Sequence, residues 1–350
     1  MTEWLIYGAY GYTGELIARE AVDRGMDPIL AGRSREKIEA LATELDCEGW
    51  RFGLDQQPGV ARALDKVDVV LNCAGPFERT YEPLVEAAIE TGTQYLDITG
   101  EIGVFEAIHG YDEAARDAGV TLLPGVGFDV VPTDCLAAHL AERVPDAESL
   151  SMGFHAEGGF SPGTTKTAIA GMGEGGMVRQ NGRLRSVPAA HKTRQIDFGG
   201  DVGELTATTF PWGDVSTAYH TTGVPNVEFY LALPPSTIDR MRYQEYLSPL
   251  LSLGPVQSLL ETLVDRRVDG PDEQTRRNTE AHIWGEISDG EETAVSRLRT
   301  PNTYTLTVET ALEITSRVLD GEGPPGFQTP AGAYGPDLVT GIEGVERTDE

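Results

Sequence analysis

The segment that most constrains this chain is its opening, WLIYGAYGYTGELIA, in which an apolar run meets Gly8, Gly11 and Gly14 at three-residue spacing. Leu5–Tyr7 reads as a short buried strand. Thr13–Arg24 reads as a helix, with Leu16, Ile17, Ala21 and Val22 on one face and Gly25 as its stop. Between a strand and a helix each glycine has its own task. Gly8 permits the tight turn, Gly11 lets backbone approach a pyrophosphate, and Gly14 lets helix and strand pack closely. The helix start then offers N–H groups and the positive end of its dipole to phosphate. The spacing is GxxGxxG, looser than GxGxxG, so the surrounding pattern has to support it.

That pattern is an alternation. Pro28–Ala31 predicts a second strand ending in Gly32–Arg33, and Ser34 is a suitable N-cap for a helix over Arg35–Leu45. Trp50–Leu54 makes a third strand. The run VDVVLN (Val67–Asn72) is apolar almost throughout, as in a strand covered on both faces. Helix Pro83–Thr91, strand Gln94–Ile98, helix Tyr111–Ala118 and strand Val120–Leu123 follow. Six strands alternating with helices predict an α/β fold, a Rossmann-type doubly wound parallel sheet with its ligand at the carboxyl ends of the strands.

The end of the second strand sets cofactor preference. NAD sites usually place an acid there for the ribose hydroxyls. This chain has LAGRSREK, with Arg33 and Ser34 in that place and Arg35 and Lys37 just beyond. A guanidinium suits the 2′-phosphate through charge-assisted bonds, so NADP is expected in preference to NAD. The cations stand out because the chain has 56 acids against 27 bases and a formal net charge of −29. Such a surface repels itself in ordinary buffer, and the repulsion nearly vanishes when molar salt shortens the Debye length to about 3 Å. The composition therefore suggests a salt-accumulating, halophilic host, and it argues against a nucleic-acid partner.

Several further stretches carry a resemblance: LNCAGPF (Leu71–Phe77), EPLVEAAIETGTQYLDITGE (Glu82–Glu101), PGVGFDVVPTDCLA (Pro124–Ala137) and the tail GPPGFQTPAGAYGPDL (Gly323–Leu338). With GAYGYTGELIA and LAGRSREKI, they resemble the saccharopine dehydrogenase-like family of oxidoreductases, and most of all its trans-acting enoyl reductase branch. SPGTTKTAIAGM (Ser161–Met172) carries a fainter likeness. The resemblance implies that Tyr12, Thr13 and Gly14 contact the pyrophosphate and that Arg33 and Ser34 contact the adenosine phosphate. It sets Asp55 near the adenine, and Cys73, Ala74, Gly75 and Pro76 beneath the ribose and nicotinamide. The residues themselves agree for Ala74–Pro76, a small-residue turn ending a buried strand. There are two departures: Tyr10 stands where the family's usual GATGYTG has threonine, and Thr80–Tyr81 replaces the usual Tyr-Gly after GPF. Glu101 reads either as a substrate-facing acid or as a helix N-cap acid.

After Pro145 the pattern becomes strand-like and irregular, with strands expected at Ser149–His155, Glu204–Thr209 and Val227–Leu233. His282–Ser288 and Glu291–Leu298 flank Asp289–Gly290, a hairpin signal. Helices are expected at Thr164–Gly171, Ser236–Leu253, Val256–Val264 and Thr305–Leu319. The expected division is a dinucleotide-binding domain of residues 1–135 plus about 302–350, with an inserted α+β domain of 136–301 for substrate and dimerisation. The Gly/Pro-rich stretch Gly321–Pro336 is expected to be an ordered loop near the ligand cleft. The apolar window Tyr246–Val264 is interrupted by Pro249, Gly254 and Pro255. It reads first as core or as the face of a homodimer, and otherwise as a greasy pocket or a weak membrane-surface contact, not as a membrane span. With no signal peptide pattern, the protein is expected to be cytoplasmic.

No catalytic constellation announces itself. The three cysteines and six histidines lack metal-ligand spacing, so no metal site is expected. Lys166 at a helix start, and Tyr81 after it, are the candidate proton donors. The leading expectation is hydride transfer to a C=C bond (enoyl or prenyl-like) or a C=N bond of a small or lipidic substrate. One rival is saccharopine- or polyamine-type imine chemistry, with Arg179, Arg183, Arg185 and Arg194 holding carboxylates. Another is a nucleotide-binding sensor or partner protein without catalysis.

Overall fold

Burial of whole tetrapeptides explains the first sheet. In β1 (Trp4–Tyr7), β2 (Ile29–Gly32) and β4 (Val69–Asn72) every residue is buried, as a strand needs when helices cover both of its faces. The computed structural model describes residues 3–159, 175–245 and 270–350. These fall into two units, Met1–Asp129 with Leu306–Ala333, and Val130–Thr305 with Tyr334–Glu350.

In the first unit β3 (Gly49–Arg51), β5 (Gln94–Asp97), β6 (Thr121–Leu123) and a late strand, Gly326–Phe327, complete a seven-stranded parallel sheet. From one edge the order is Gly326–Phe327, β6, β5, β4, β1, β2, β3. The chain starts in the middle, with Ile6 beside both Leu30 and Leu71, and builds outward in each direction. The order reverses at β1, and there a doubly wound sheet opens its crevice. The connections include α1 (Tyr12–Asp23), α2 (Arg35–Leu45), α3 (Gln57–Leu64), α4 (Tyr81–Thr91), α5 (Ile102–His109) and α6 (Asp112–Ala118). Two of these were not legible. In α3 a proline and a glycine disguise the helix, although Pro58 stands in the first turn, where no intrahelical donor is lost. In α5, IGVFEAIH is too apolar for a clear polar face.

The tail corrects an expectation. Within the stretch read as a loop, Gly326 and Gln328 donate to the carbonyls of Val120 and Leu122, and Phe327 donates to Asp112 Oδ1 at 2.8 Å. The tail is therefore the seventh strand, followed by a short helix Pro330–Tyr334. Gly326 needs its φ of +94° to make this pairing.

The second unit is a mixed sheet of nine strands. Its strands are β7 (Ser149–Ala156), β8 (Gly176–Gln180), β9 (Arg183–Val187), β10 (Thr193–Asp197), β11 (Glu204–Thr209), β12 (Asn226–Ala232), β13 (Glu280–Ser288), β14 (Thr293–Pro301) and a last strand Glu346–Asp349. Among the described residues of this unit only β7 and β12 pair in parallel. Asp289–Gly290 turns β13 into β14 as expected, and the Asp289 carboxylate accepts from the N–H groups of Glu291 and Glu292. Helix α7 (Val131–Arg143) packs on the sheet at Gly285, where a Cβ would come within 2.7 Å of Leu140. The helix Ser236–Leu253 is seen through Pro235–Glu245, and Thr305–Leu319 begins at Thr303. Lys166 with its SPGTTKTA motif, the helices Thr164–Gly171 and Val256–Val264, and the window Tyr246–Val264 lie outside the described residues. Among the described residues no helix is long and apolar enough to cross a membrane.

Candidate nucleotide site

The glycine turn is built as its spacing requires. Gly8 follows β1 with φ +85°, and a Cβ there would press on Ala74 backbone at 2.8–2.9 Å. The ends of β1 and β4 therefore meet where only glycine fits at position 8. Gly11 donates to the Gly8 carbonyl at 2.9 Å and occupies the N-cap of α1, where it presents no capping side chain. A Cβ on Gly14 would lie inside contact distance of the Gly8 carbonyl oxygen, so only glycine lets α1 sit this close to β1. An α-helix leaves its first N–H groups without intrahelical partners, and here Tyr12 and Thr13 open the helix beside the turn. The turn is thus a backbone cradle with a positive dipole end, and it fits the diphosphate of a dinucleotide.

Cationic side chains gather at the ends of β2 and β3. Arg33 is exposed after β2, and its charge acts on the Tyr7 phenol together with Tyr10 and Asp55. Burial, more than any of these, pushes that phenol up to about 12. Tyr7 packs on Phe52 with ring centroids 5.0 Å apart. Asp55 folds back over Gly53. Ser34 holds the N-cap position of α2, yet its hydroxyl makes no capping bond, which corrects that part of the expectation. The hydroxyl is not committed to capping the helix.

Acids line the ends of β4, β5 and β6. Asn72 ends β4: its Oδ1 accepts from Ala74 N–H at 3.0 Å, and its amide donates to Thr80 and Tyr95 hydroxyls. The Tyr95 hydroxyl donates to Asp97 Oδ2 at 2.8 Å, while Asp97 Oδ1 accepts from Thr99 and Gly125 N–H, both at 2.9 Å. Burial pushes Asp97 up to about 6 against the pull of those hydrogen bonds. Glu101 occupies the helix start that its sequence position suggested. It stands at the N-cap of α5 without capping it, and its carboxylate instead accepts from the N–H groups of Phe77 and Glu78 at 3.0 and 2.9 Å. This ties the loop after β5 to the loop Cys73–Pro76 after β4. Asp129 stands against Gly100, where a Cβ would meet it at 3.0 Å. Burial, then the charge of Glu101, pushes Asp129 up to about 7.

The site residues named from sequence thus divide. Gly8, Gly11, Tyr12, Thr13, Gly14 and Ala74 come together at the turn; Arg33, Ser34 and Asp55 lie beyond β2 and β3; Gly75 and Pro76 follow Ala74. The Cys73 thiol is pushed up by burial and then by Asp97. Tyr81 opens α4, and burial followed by Glu82, Glu78 and Glu86 raises its phenol. Asp97 and Asp129 were missed, although an aspartate closing a buried strand (QYLD) was a visible signal. In the second unit, two of the four arginines are already engaged: Arg179 donates to the carbonyls of Val215 and Gly182, and Arg194 pairs with Glu286. All three cysteines are free thiols.

Comparison with known proteins matches residues 4–123 to the saccharopine dehydrogenase NADP binding domain. The saccharopine dehydrogenase-like oxidoreductase of Rattus norvegicus is 32% identical over 209 residues, covering 52% of this chain and 48% of the relative. The trans-acting enoyl reductase of Mycobacterium bovis is 33% identical over 147 residues, covering 40% of this chain and 35% of the relative. This chain therefore matches about half the length, or less, of these curated relatives. The apo saccharopine dehydrogenase (L-Glu forming) of Saccharomyces cerevisiae aligns over 100% of both chains with a TM-score of 0.66 at 11% identity, a likeness of fold. Residues 4–123 are thus similar to the saccharopine dehydrogenase NADP binding domain, and about half of the chain is similar to the saccharopine dehydrogenase-like oxidoreductases.

Proposed function

We propose that this protein is an NADP-dependent oxidoreductase that moves hydride to or from a carbon–carbon double bond of enoyl or prenyl-like type, or a carbon–nitrogen double bond, in a small or lipidic substrate. The observation that carries this is the glycine turn at the start of α1, where a Cβ on Gly8 would strike Ala74 and a Cβ on Gly14 would strike the Gly8 carbonyl, so that backbone N–H groups at the helix start face the turn. The cofactor supplies the hydride when bound. The chain supplies position: Arg33 recognises the ribose phosphate, and the Asn72–Tyr95–Asp97 network with Glu101 fixes the loops after β4 and β5. When hydride adds to one atom of the double bond, the other atom, carbon or nitrogen, takes a proton, and Asp129, raised by burial to about 7 beside Gly100, is a candidate to give it. The relation to a trans-acting enoyl reductase supports the carbon–carbon reading.

The test is fluorescence-monitored binding of NADPH and NADH in multi-molar KCl, comparing wild type with Arg33→Asp. NADPH affinity should fall about 10- to 100-fold in the variant, as expected for losing a hydrogen-bonded charge pair, with NADH affinity little changed. Binding of neither nucleotide by wild type would overturn the reading. NADPH oxidation would then be followed with enoyl thioesters and NADP reduction with saccharopine; turnover of saccharopine alone would move the assignment to imine chemistry.

A further inference from the structure

Three segments meet around one side chain that the glycine pattern leaves unassigned. Tyr10 lies inside the turn, between Gly8 and Gly11. Its ring covers Gly32, the last residue of β2, so closely that a Cβ on Gly32 would come within 2.6 Å of Tyr10 Cε1 and 3.3 Å of Cδ1. The Lys37 ammonium, from the first turn of α2, stands over the same ring at 5.4 Å from its centroid. Thus the phosphate turn, the end of β2 and the start of α2 are joined through one phenol. Arg33 follows Gly32 directly, and its charge is felt at the Tyr7 hydroxyl.

We propose that Tyr10 is a specificity-determining residue: its ring holds the Lys37 ammonium at the end of β2, where it joins Arg33 in recognising the 2′-phosphate of NADP(H). The inference rests on the NADP reading above and deepens it. A free lysine on a four-carbon stem loses much rotamer freedom when it binds a phosphate, and an aromatic platform removes part of that loss beforehand. Gly32 belongs to the same device, since any side chain there would displace the ring. The cation–π contact sets the expected size: roughly 2- to 30-fold in affinity between an exposed and a desolvated site.

The experiment measures NADPH and NADH dissociation constants for the full chain in wild type, Tyr10→Thr, Tyr10→Phe, Lys37→Met and the Tyr10→Thr/Lys37→Met double variant. Tyr10→Thr and Lys37→Met should each lower NADPH affinity by a factor in the range given and leave NADH affinity unchanged. Tyr10→Phe should keep the preference, because the ring and not the hydroxyl holds the ammonium. The double variant should lose no more than Lys37→Met alone. Equal losses for NADPH and NADH in Tyr10→Thr would show a general turn defect, and additive losses would show independent roles; either overturns the proposal. Binding of neither nucleotide by wild type would instead bring down the NADP reading itself, and this inference with it.

Discussion

After β2 stand the exposed cations Arg33, Arg35 and Lys37, whereas the end of β5 and the loops after β5 and β6 hold the acids Asp97, Glu101 and Asp129, of which Asp97 is buried and the other two are half-buried. Both groups belong to one parallel sheet and one row of loops. The cationic half has few internal partners: Arg35 has only an exposed pair with Glu39, and Lys37 rests on a ring. The acidic half is the reverse, a network in which Asp97 alone accepts three hydrogen bonds. Exposed cations can be exchanged with local effects on what is bound. Asp97 and Glu101 cannot, because each one accepts from the backbone of another loop.

The hinge between the halves is the turn itself, and breaking it has the largest expected effect. Gly8→Val would impose a side chain at φ +85° and drive it into Ala74. A loss of roughly 3–6 kcal/mol is expected from strain and overpacking together, with no measurable nucleotide binding. Denaturant unfolding and nucleotide titration check this. Asp97→Ala comes next: it strands the N–H groups of Thr99 and Gly125 and the Tyr95 hydroxyl, at roughly 2–5 kcal/mol.

Asp97 also sharpens the contrast through pH. Its folded pKa of about 6 lies above the ordinary 3.8. The folded state therefore holds the proton longer than the unfolded one. The resulting stabilisation is present in full below about pH 4 and is lost as the pH rises through 6. Asp97→Asn should flatten that part of the stability profile, and the difference in thermal midpoint between wild type and variant from pH 4 to 7 measures it. A smaller effect belongs to Glu101→Gln, which keeps the shape but weakens both bonds to Phe77 and Glu78, for about 1 kcal/mol and a modest loss of nucleotide affinity. The smallest belongs to Arg35→Gln, where NADPH affinity should change less than about twofold, because an exposed pair contributes little. A large drop there would shift phosphate recognition away from Arg33 and Lys37.

The same contrast explains what could be read in advance. The turn, the buried strands beside it and the cations after β2 are local: glycine spacing, continuous apolar runs and the residue after a strand each report on their immediate backbone. The acidic half is not local. Asp97 reaches Gly125 across 28 positions and Glu101 reaches Phe77 across 24, and no periodicity marks either pair. Ser34 and Glu101 both stand at N-cap positions with cap-forming chemistry, yet neither makes the bond, and Glu101 instead binds N–H groups of another loop. The tail shows the same limit, since GPPGFQTP has the composition of a loop but gains a strand by pairing with β6.

By itself the sequence determined a doubly wound sheet with a glycine turn at the start of its first helix, because glycine's missing Cβ and the need to bury both faces of a parallel strand leave few alternatives. It determined as well that cations, not an acid, follow the second strand. Tertiary structure decided which side chains those cations rest on, where the buried acids send their hydrogen bonds and how far burial shifts their protons. Those are properties of pairs brought together across the sheet, and the energy of a pair is absent from the sequence until the fold sets its distance.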